Sequence, residues 1–207
     1  MKDPTAIYTR EWYDHDFDGL QPEFDIVGGA IHTVLFPNGP RDAVDVGSGP
    51  GMLLDALRRR GWAVRGYDGS AHAIAYARDH VRGVVDRLFH MTVEQLAKSE
   101  AAWASELVVC TEVAEHLEAE LAPTLCKVLA RHMRGKDSQL FFTAAPPGQG
   151  GHDHVNEQPM QYWEELFARE WLKPAPEDLQ EEMRAALEPL QRLSHLRRNV
   201  RVFWRAR

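Results

Sequence analysis

The chain has 207 residues, of which 44% are hydrophobic and 27% are charged, and its formal net charge is -7 at pH 7. This composition excludes disordered and fibrous proteins, and the negative charge argues against a broad nucleic-acid-binding face because phosphate contacts need a basic surface. Two cysteines are too few for a disulfide framework, and no apolar stretch approaches the roughly 18 residues that cross a bilayer. We expect one cytoplasmic domain that does not enter a membrane.

Apolar residues predict a helix before the sequence PNGP, because they recur at helical spacing: Phe24, Val27, Ile31, Val34 and Leu35. From residue 43 onward, short apolar runs alternate with helical patterns. The runs are AVDV, AVRGYD, RLFHM, ELVVC and QLFFTAA. Five such strands separated by helices predict a parallel sheet built of right-handed crossovers.

Helical patterns between and after these strands lie at 52–60, 71–81, 112–117 and 176–193. Two further helices are predicted to begin at Pro123 and at Pro159, because proline is tolerated in the first turn. The last run, NVRVFWRAR, alternates like a strand and is predicted to pair at the edge of the sheet. The expected fold class is therefore α/β, a doubly wound and mostly parallel seven-stranded sheet with an antiparallel edge strand at the C-terminus.

A glycine-rich loop, VDVGSGPG, follows the first predicted strand, where ligands bind in a doubly wound sheet. Gly47 and Gly49 allow a tight turn, and Gly51 opens the next helix. The spacing is G-x-G-x-G, with Met52 where a dinucleotide fingerprint has its third glycine, so a pyrophosphate loop is disfavoured. Asp68 ends the second strand in GYD, a position that commonly binds ribose hydroxyls.

In this order, VDVGSGPG, GYD and CTEVAEHL resemble the class I methyltransferases that use S-adenosylmethionine. The resemblance implies a Rossmann-like methyltransferase domain over residues 1–207, with an N-terminal helical cap at 1–40 and a catalytic core at 41–207. It also implies a set of cofactor-binding residues: Asp45, Gly47, Ser48, Gly49, Gly51, Asp68, Gly69, Met91, Thr92 and Cys110. The alternative is that the glycines and Asp68 form only a turn and a solvated strand end.

The sequence EVAEH supplies three possible metal ligands after the fourth strand. On a helix, Glu112, Glu115 and His116 share one face. They could hold a divalent cation if a fourth ligand came from elsewhere. His152 and His154 lie in the loop after the fifth strand, and in an extended segment their rings would point the same way.

This stretch resembles two families of O-methyltransferases. The small-RNA 3′-terminal 2′-O-methyltransferases bind a divalent ion through E-x-x-E-H and a later histidine, which implies Glu112, Glu115, His116 and His154 as ligands. The ubiquinone-biosynthesis O-methyltransferases carry a similar stretch, and matching them implies His152 in place of His154; we prefer His154. Magnesium, manganese, iron, cobalt and zinc all suit such ligands. The alternative is that no metal binds and that the two glutamates only stabilise the start of a helix through its dipole. In that case the candidate general base is His116, His152 or His154.

Two further features remain open at the level of sequence. Tyr8, Trp12 and Tyr13 either fold over the site or anchor the N-terminus. The C-terminal arginines have no acid between them and either bind an anionic partner or protect an edge strand: Arg192, Arg197, Arg198, Arg201, Arg205 and Arg207.

The predicted function is transfer of a methyl group from S-adenosylmethionine to a hydroxyl of a small molecule, assisted by a divalent metal. The alternatives are 2′-O-methylation of an RNA end, a binding module without catalysis, and a zinc hydrolase that uses His116, His152 and His154. The oligomeric state is left open.

Overall fold

The computed structural model of the protein describes residues 3–39, 41–100 and 103–206. Within these ranges, seven strands form one sheet in the order β3-β2-β1-β4-β5-β7-β6. The strands are β1 (Asp42–Val46), β2 (Ala63–Asp68), β3 (Leu88–His90), β4 (Leu107–Thr111), β5 (Gln139–Thr143), β6 (Leu172–Pro174) and β7 (Arg201–Arg205). Strands β1 to β5 are parallel, and β7 is antiparallel to both neighbours. The predicted fold class is confirmed.

Ten α-helices lie in the described ranges, numbered in chain order: α1 (Pro4–Ile7), α2 (Arg10–Asp16), α3 (Gln21–Ala30), α4 (Met52–Arg58), α5 (Ala71–His80), α6 (Val93–Lys98), α7 (Ala122–His132), α8 (Met160–Arg169), α9 (Glu177–Ala186) and α10 (Ser194–Asn199). A π-helical turn at Ile31–Leu35 extends α3, and 3₁₀ turns lie at Arg82–Arg87, Ala114–His116 and Ala119–Leu121. The longest α-helix, α7, has 11 residues, and no helix in the described ranges could cross a membrane.

The central strands are apolar on both faces, since Leu107, Val108, Val109 and Cys110 of β4 are all fully buried. Such a continuous apolar run is typical of a parallel strand with helices on both sides. The chain builds β1, β2 and β3 toward one edge and then returns to add β4 on the other side of β1. The carboxyl ends of β1 and β4 therefore flank the switch point, where doubly wound sheets bind ligands.

Three predicted elements differ from the structure in their details. The helix predicted at 176–193 ends as α9 at Ala186, because Pro189 lacks an amide hydrogen and disfavours helical geometry before it. The short helical turn predicted at 112–117 is present as the 3₁₀ turn Ala114–His116 and does not include Glu112. The antiparallel C-terminal strand β7 is present, but β6 pairs on its outer side; β6 is too short to give a strand signal in the sequence.

Candidate active site

One cavity of about 670 Å³ lies at the carboxyl ends of the central strands. Its floor is formed by the loop after β1, the end of β2 and the residues after β3, and its wall by the turn after β4 and the loop after β5. Helices α1, α2 and α10 cover it. Both ends of the described chain therefore contribute to this cover. The aromatic residues Tyr8, Trp12 and Tyr13 line the cavity from the N-terminal side, in agreement with the interpretation that they fold over the site.

The glycine loop has a backbone that only glycine adopts easily. Gly47 and Gly49 have φ of +81° and +52°. A Cβ on Gly47 would lie 2.2 Å from Cγ2 of Val113 in the turn after β4. The amides of Gly47 and Ser48 both donate to the carbonyl of Tyr67, at 2.7 and 3.0 Å. The loop is therefore packed between the ends of β2 and β4 and faces the cavity.

Eight of the ten predicted cofactor-binding residues line the cavity: Asp45, Gly47, Ser48, Gly49, Asp68, Gly69, Met91 and Thr92. The other two lie elsewhere. A Cβ on Gly51 would contact Val84 and Leu88, and Cys110 is fully buried in an apolar cluster on one face of the sheet. Neither residue lines the cavity, so the cofactor-binding role expected for these two residues stays a prediction that the cavity does not support.

Two acids lie at the cavity floor. Asp68 accepts hydrogen bonds from the amides of Gly49 and Ser70, both at 2.7 Å, so it connects β2 to the glycine loop. Burial raises its pKa despite these bonds. Asp45 is buried, and its Oδ1 has no hydrogen-bond partner among the described residues. Burial, and secondarily the charge of Asp68, raises the pKa of Asp45 to about 8.

Backbone hydrogen bonds join the turn after β4 to the loop after β5. The carbonyl of Glu115 accepts from the amides of Val155 and Asn156, both at 2.9 Å. The amide of Glu112 donates to the carbonyl of Thr143 at 3.2 Å and to its Oγ1 at 3.0 Å. These contacts bring EVAEH and HDH together, as the sequence predicted from the placement of the two loops at one edge of the sheet.

Glu115, His116 and His154 form a cluster whose ligand atoms all lie within 4.8 Å of one another. Glu115 is fully buried; its Oε1 accepts from the amide of Ala145 at 3.2 Å, while Oε2 accepts no hydrogen bond from the described residues. Burial and the neighbouring Glu112 raise the pKa of Glu115. Burial and His154 lower the pKa of His116 to about 4, so its ring is neutral, the form that binds metals.

Glu157 orients His154, and sequence reasoning missed it. Its Oε1 lies 2.8 Å from Nδ1 of His154, and its two oxygens accept from the amides of Gly148 and Gly150 at 2.7 Å. This leaves Nε2 of His154 for another partner, the arrangement in which a carboxylate fixes a metal-binding histidine. The spacing H-x-x-E was the available signal.

Glu112, which was in the expected ligand set, lies outside the cluster, and so does the alternative histidine His152. Glu112 has φ +51° and is not helical, so its carboxylate turns to the side chains of Gln149 and Asn199. His152 packs on the rings of Tyr8 and Trp12. The segment that holds the two histidines is not extended, because Asp153 between them has φ +57°. His154, the preferred ligand, is the histidine that joins the cluster.

The cap contacts the cluster through Tyr8. Its Oη forms a hydrogen bond of 2.7 Å with Nδ1 of His116, and burial raises its pKa. A cation that used this nitrogen of His116 would displace the hydroxyl.

Most of the C-terminal arginines are bound within the protein. Arg192 donates to the carbonyls of Asp16 and Asp18, Arg201 pairs with Glu164 and Glu177, and Arg205 donates to the carbonyls of Ala130 and Met133. Arg197 lies 3.9 Å from Glu188, and Arg207 lies outside the described residues. These contacts give Arg192, Arg201 and Arg205 a structural role, but not the expected protection of an edge strand, because β7 lies between β5 and β6. Arg198 lines the cavity.

Comparison with known proteins gives a match to a family model over part of the chain, and a fold. A family model described as a methyltransferase domain matches residues 43–136. A ubiquinone biosynthesis O-methyltransferase from Sodalis glossinidius is 35% identical over 118 residues, which are 54% of this chain and 46% of the relative. The chain thus spans about half the length of this curated relative.

Two solved structures share the fold at low sequence identity. An O-methyltransferase family protein from Burkholderia thailandensis is 16% identical with a TM-score of 0.65, over 80% of this chain and 55% of that chain. The 1,6-didemethyltoxoflavin-N1-methyltransferase of the same organism, solved with S-adenosylhomocysteine, is 14% identical with a TM-score of 0.59, over 80% and 75%.

The comparisons establish the fold and a partial family match. The chain has the Rossmann-like fold of solved methyltransferases, and its residues 43–136 match a methyltransferase-domain model. The predicted methyl-transfer activity and the predicted division into cap and catalytic core stay predictions.

Proposed function

We propose that the protein transfers a methyl group from S-adenosylmethionine to a hydroxyl of a small molecule, assisted by a divalent cation. One observation carries this proposal: the glycine loop and Asp68 line the same cavity as His116 and His154. A methyl donor on the floor would therefore lie beside groups that can orient and activate an oxygen. The names of the O-methyltransferase relatives support the same reaction.

The cavity has suitable charges for S-adenosylmethionine. The sulfonium is positive, and the carboxylate of Asp68 lies on the floor, so a cationic donor gains favourable electrostatic energy that a pyrophosphate would not. The carboxylate oxygens of Asp68 each accept one amide and keep further lone pairs for ribose hydroxyls. The related fold solved with S-adenosylhomocysteine supports this cofactor.

The cluster of Glu115, His116 and His154 fits a divalent cation on three grounds. The buried Oε2 of Glu115 lacks a donor, the low pKa of His116 keeps its ring neutral, and Glu157 orients His154 with one nitrogen left over. A bound cation would supply a Lewis acid that lowers the pKa of a coordinated hydroxyl and fixes its direction. The protein's own contribution is to hold these three side chains together in a site covered by the cap.

The charge of the cavity favours a small acceptor over an RNA end. Six acids and two arginines line it: Asp16, Asp45, Asp68, Glu112, Glu118, Asp153, Arg192 and Arg198. Phosphate binding needs a basic surface, and most of the C-terminal arginines are already engaged. A volume of about 670 Å³ lies in the range of small-molecule sites.

Cofactor binding is tested by titration calorimetry with S-adenosylmethionine. We expect Asp68→Asn to weaken binding by about tenfold or more, because a charged acceptor is lost, and Asp137→Asn, at an exposed turn, to bind like the unmodified protein. No binding to the unmodified protein, or equal binding to both variants, would rule out the cofactor assignment.

Metal binding is tested by titration with Co²⁺ of two variants in one loop. We expect His154→Gln to bind Co²⁺ at least about tenfold more weakly, as a ligand loss does, and His152→Gln to bind it nearly unchanged because its ring packs on the cap. The opposite pattern would transfer the ligand role to His152, and no binding by any form would remove the metal from the proposal.

The acceptor class is tested with labelled S-adenosylmethionine and a panel of three compounds: catechol, phenol and an RNA oligonucleotide with a free 3′-terminal ribose. We expect methylation of a small hydroxyl compound and none of RNA. Transfer to the RNA alone would establish the alternative acceptor. Cofactor binding without transfer to any acceptor would favour a binding module without catalysis.

A further inference from the structure

We infer that His195 is a catalytic residue that takes the proton from the acceptor hydroxyl, and that Glu112 is the residue that positions its ring. This inference rests on the proposed function and adds a proton acceptor that lies apart from the cluster of Glu115, His116 and His154. Glu112 and His195 both line the cavity, His195 from α10 and Glu112 from the end of β4.

The carboxylate of Glu112 is held by two amide side chains. Nδ2 of Asn199 lies 3.2 and 3.4 Å from its two oxygens, and Nε2 of Gln149 donates to Oε2 at 3.2 Å. Asn199 also donates to Oε1 of Gln149 at 2.9 Å, so the three side chains form a closed network. A carboxylate fixed in this way can hold a further group in one orientation.

His195 is the further group that this network faces. It lies four residues before Asn199 on α10, so the two side chains share one face of the helix. Nε2 of His195 is 3.8 Å from Oε2 of Glu112, and the two side chains are 28% and 19% exposed. This distance is longer than a hydrogen bond, as catalytic pairs often are before the substrate binds.

The backbone of Glu112 supports a functional role for this network. Its φ of +51° is a left-handed conformation that costs a residue other than glycine energy. The amide of Glu112 is held by Thr143, which stabilises this conformation. The conformation directs the carboxylate to Asn199 and His195 of α10, while the carboxylate stays near enough to Glu115 to raise the pKa of that residue.

The other histidines of the cavity are already engaged. His116 hydrogen-bonds Tyr8, His154 hydrogen-bonds Glu157, and His152 packs on Trp12. Among the described residues, the polar contact of the His195 side chain is the one between its Nε2 and Glu112, and its Nδ1 has no hydrogen-bond partner there. Nδ1 is therefore the ring nitrogen that can accept a proton.

The step balances without a further reactant. The acceptor oxygen forms a bond to the methyl carbon, the bond from that carbon to sulfur breaks, and its electron pair stays on sulfur as a neutral thioether. The hydroxyl proton moves to Nδ1 of His195 and then to solvent. The negative charge of Glu112 stabilises the imidazolium that forms in between.

The test compares kcat, KM and S-adenosylmethionine affinity in three variants, using the compound among catechol, phenol and the RNA oligonucleotide that the unmodified protein methylates fastest. We expect His195→Gln to lower kcat by about 100-fold or more, the range of general-base catalysis, with KM and cofactor affinity changed less than about threefold. Glu112→Gln should lower kcat by about tenfold through the loss of positioning. His15→Gln, at a side chain that is 88% exposed, is the control and should match the unmodified protein.

Rescue separates a chemical role from a structural one. We expect added imidazole to restore part of the kcat of His195→Ala and none of the kcat of His195→Gln, whose side chain fills the space. A kcat of His195→Gln within about threefold of the unmodified protein would overturn the role of His195. If His195→Gln lost both its activity and its S-adenosylmethionine binding, that would overturn the role as well. In both cases, binding of S-adenosylmethionine by the unmodified protein would leave the cofactor assignment standing. Binding of S-adenosylmethionine without turnover of any panel compound would overturn both the base and the proposed reaction.

Discussion

Asp45 and Asp68 lie at the ends of neighbouring strands, and their surroundings differ in a way that sequence does not reveal. Asp68 accepts two backbone amides, whereas Oδ1 of Asp45 has no partner in the described ranges. An unpaired buried carboxyl is costly when charged, so Asp45 is held mainly in its protonated form at neutral pH. At the scale of the residue, the local contacts decide which acid carries a charge.

The first prediction concerns the pH dependence of stability at Asp45. Its pKa is raised from 3.8 to about 8 by burial, so the folded protein keeps a proton that the unfolded chain releases between these values. The stabilising effect is present at low pH and is lost as the pH rises toward 8. We therefore expect Asp45→Asn, which cannot ionise, to gain stability over the unmodified protein as the pH rises.

Urea unfolding without cofactor measures this effect. The advantage of Asp45→Asn in free energy of unfolding should grow by about 1 kcal/mol or more between about pH 5 and pH 8.5. A difference that stays constant over this range would show that Asp45 does not change its proton binding on folding.

At the scale of elements, the site depends on two short connections more than on helices. The sequence placed EVAEH and HDH at one edge of the sheet because parallel strands end there together. It did not give the contacts of Glu157 or Asn199, because these depend on the left-handed turns at Glu112 and Asp153. A left-handed backbone is uncommon at residues other than glycine, even at aspartate, which adopts it more often than glutamate. No local pattern therefore predicts these turns, and the surrounding hydrogen bonds stabilise them.

The second prediction compares two glycines in different elements. Gly47 combines a φ of +81° with a Cβ position 2.2 Å from Cγ2 of Val113, whereas a Cβ on Gly135 would contact nothing within 4 Å. We expect Gly47→Ala to lower the free energy of unfolding by about 2 kcal/mol or more and Gly135→Ala to change it by less than about 0.5 kcal/mol.

Urea unfolding and calorimetry with S-adenosylmethionine measure both variants. Loss of cofactor affinity is expected for Gly47→Ala only. Equal stability and equal affinity of the two variants would mean that the loop between β1 and α4 tolerates a side chain at this position.

At the scale of the whole molecule, segments far apart in sequence close one cavity. Glu23 on α3 accepts from the amides of Gln191, Arg192 and Leu193, which positions the start of α10 against the cap. Tyr8 reaches His116 from the other side. A ligand in the cavity therefore contacts the cap, the sheet ends and α10 together, and its binding should stabilise them as one unit.

The third prediction is a rise in the melting temperature with cofactor. A ligand at about 100 times its Kd adds about 2.7 kcal/mol to the folded state, which for a chain of this length corresponds to a rise on the order of 5 °C. Thermal unfolding with and without S-adenosylmethionine measures it, with Asp68→Asn as the variant whose rise should be smaller at the same concentration. An unchanged melting temperature would contradict binding in the cavity.

The sequence by itself determined the α/β class, the mostly parallel sheet, the glycine loop, and the acids and histidines that meet at its edge. These features follow from local rules, since apolar runs, helical periodicity and glycine each act over a few residues. Only the tertiary structure decided that His154 and not His152 joins Glu115 and His116, that Glu112 turns to Asn199 and faces His195, and that α10 covers the cavity. Those outcomes depend on contacts between residues up to 176 positions apart, and the chain fixes such contacts only when its segments pack together.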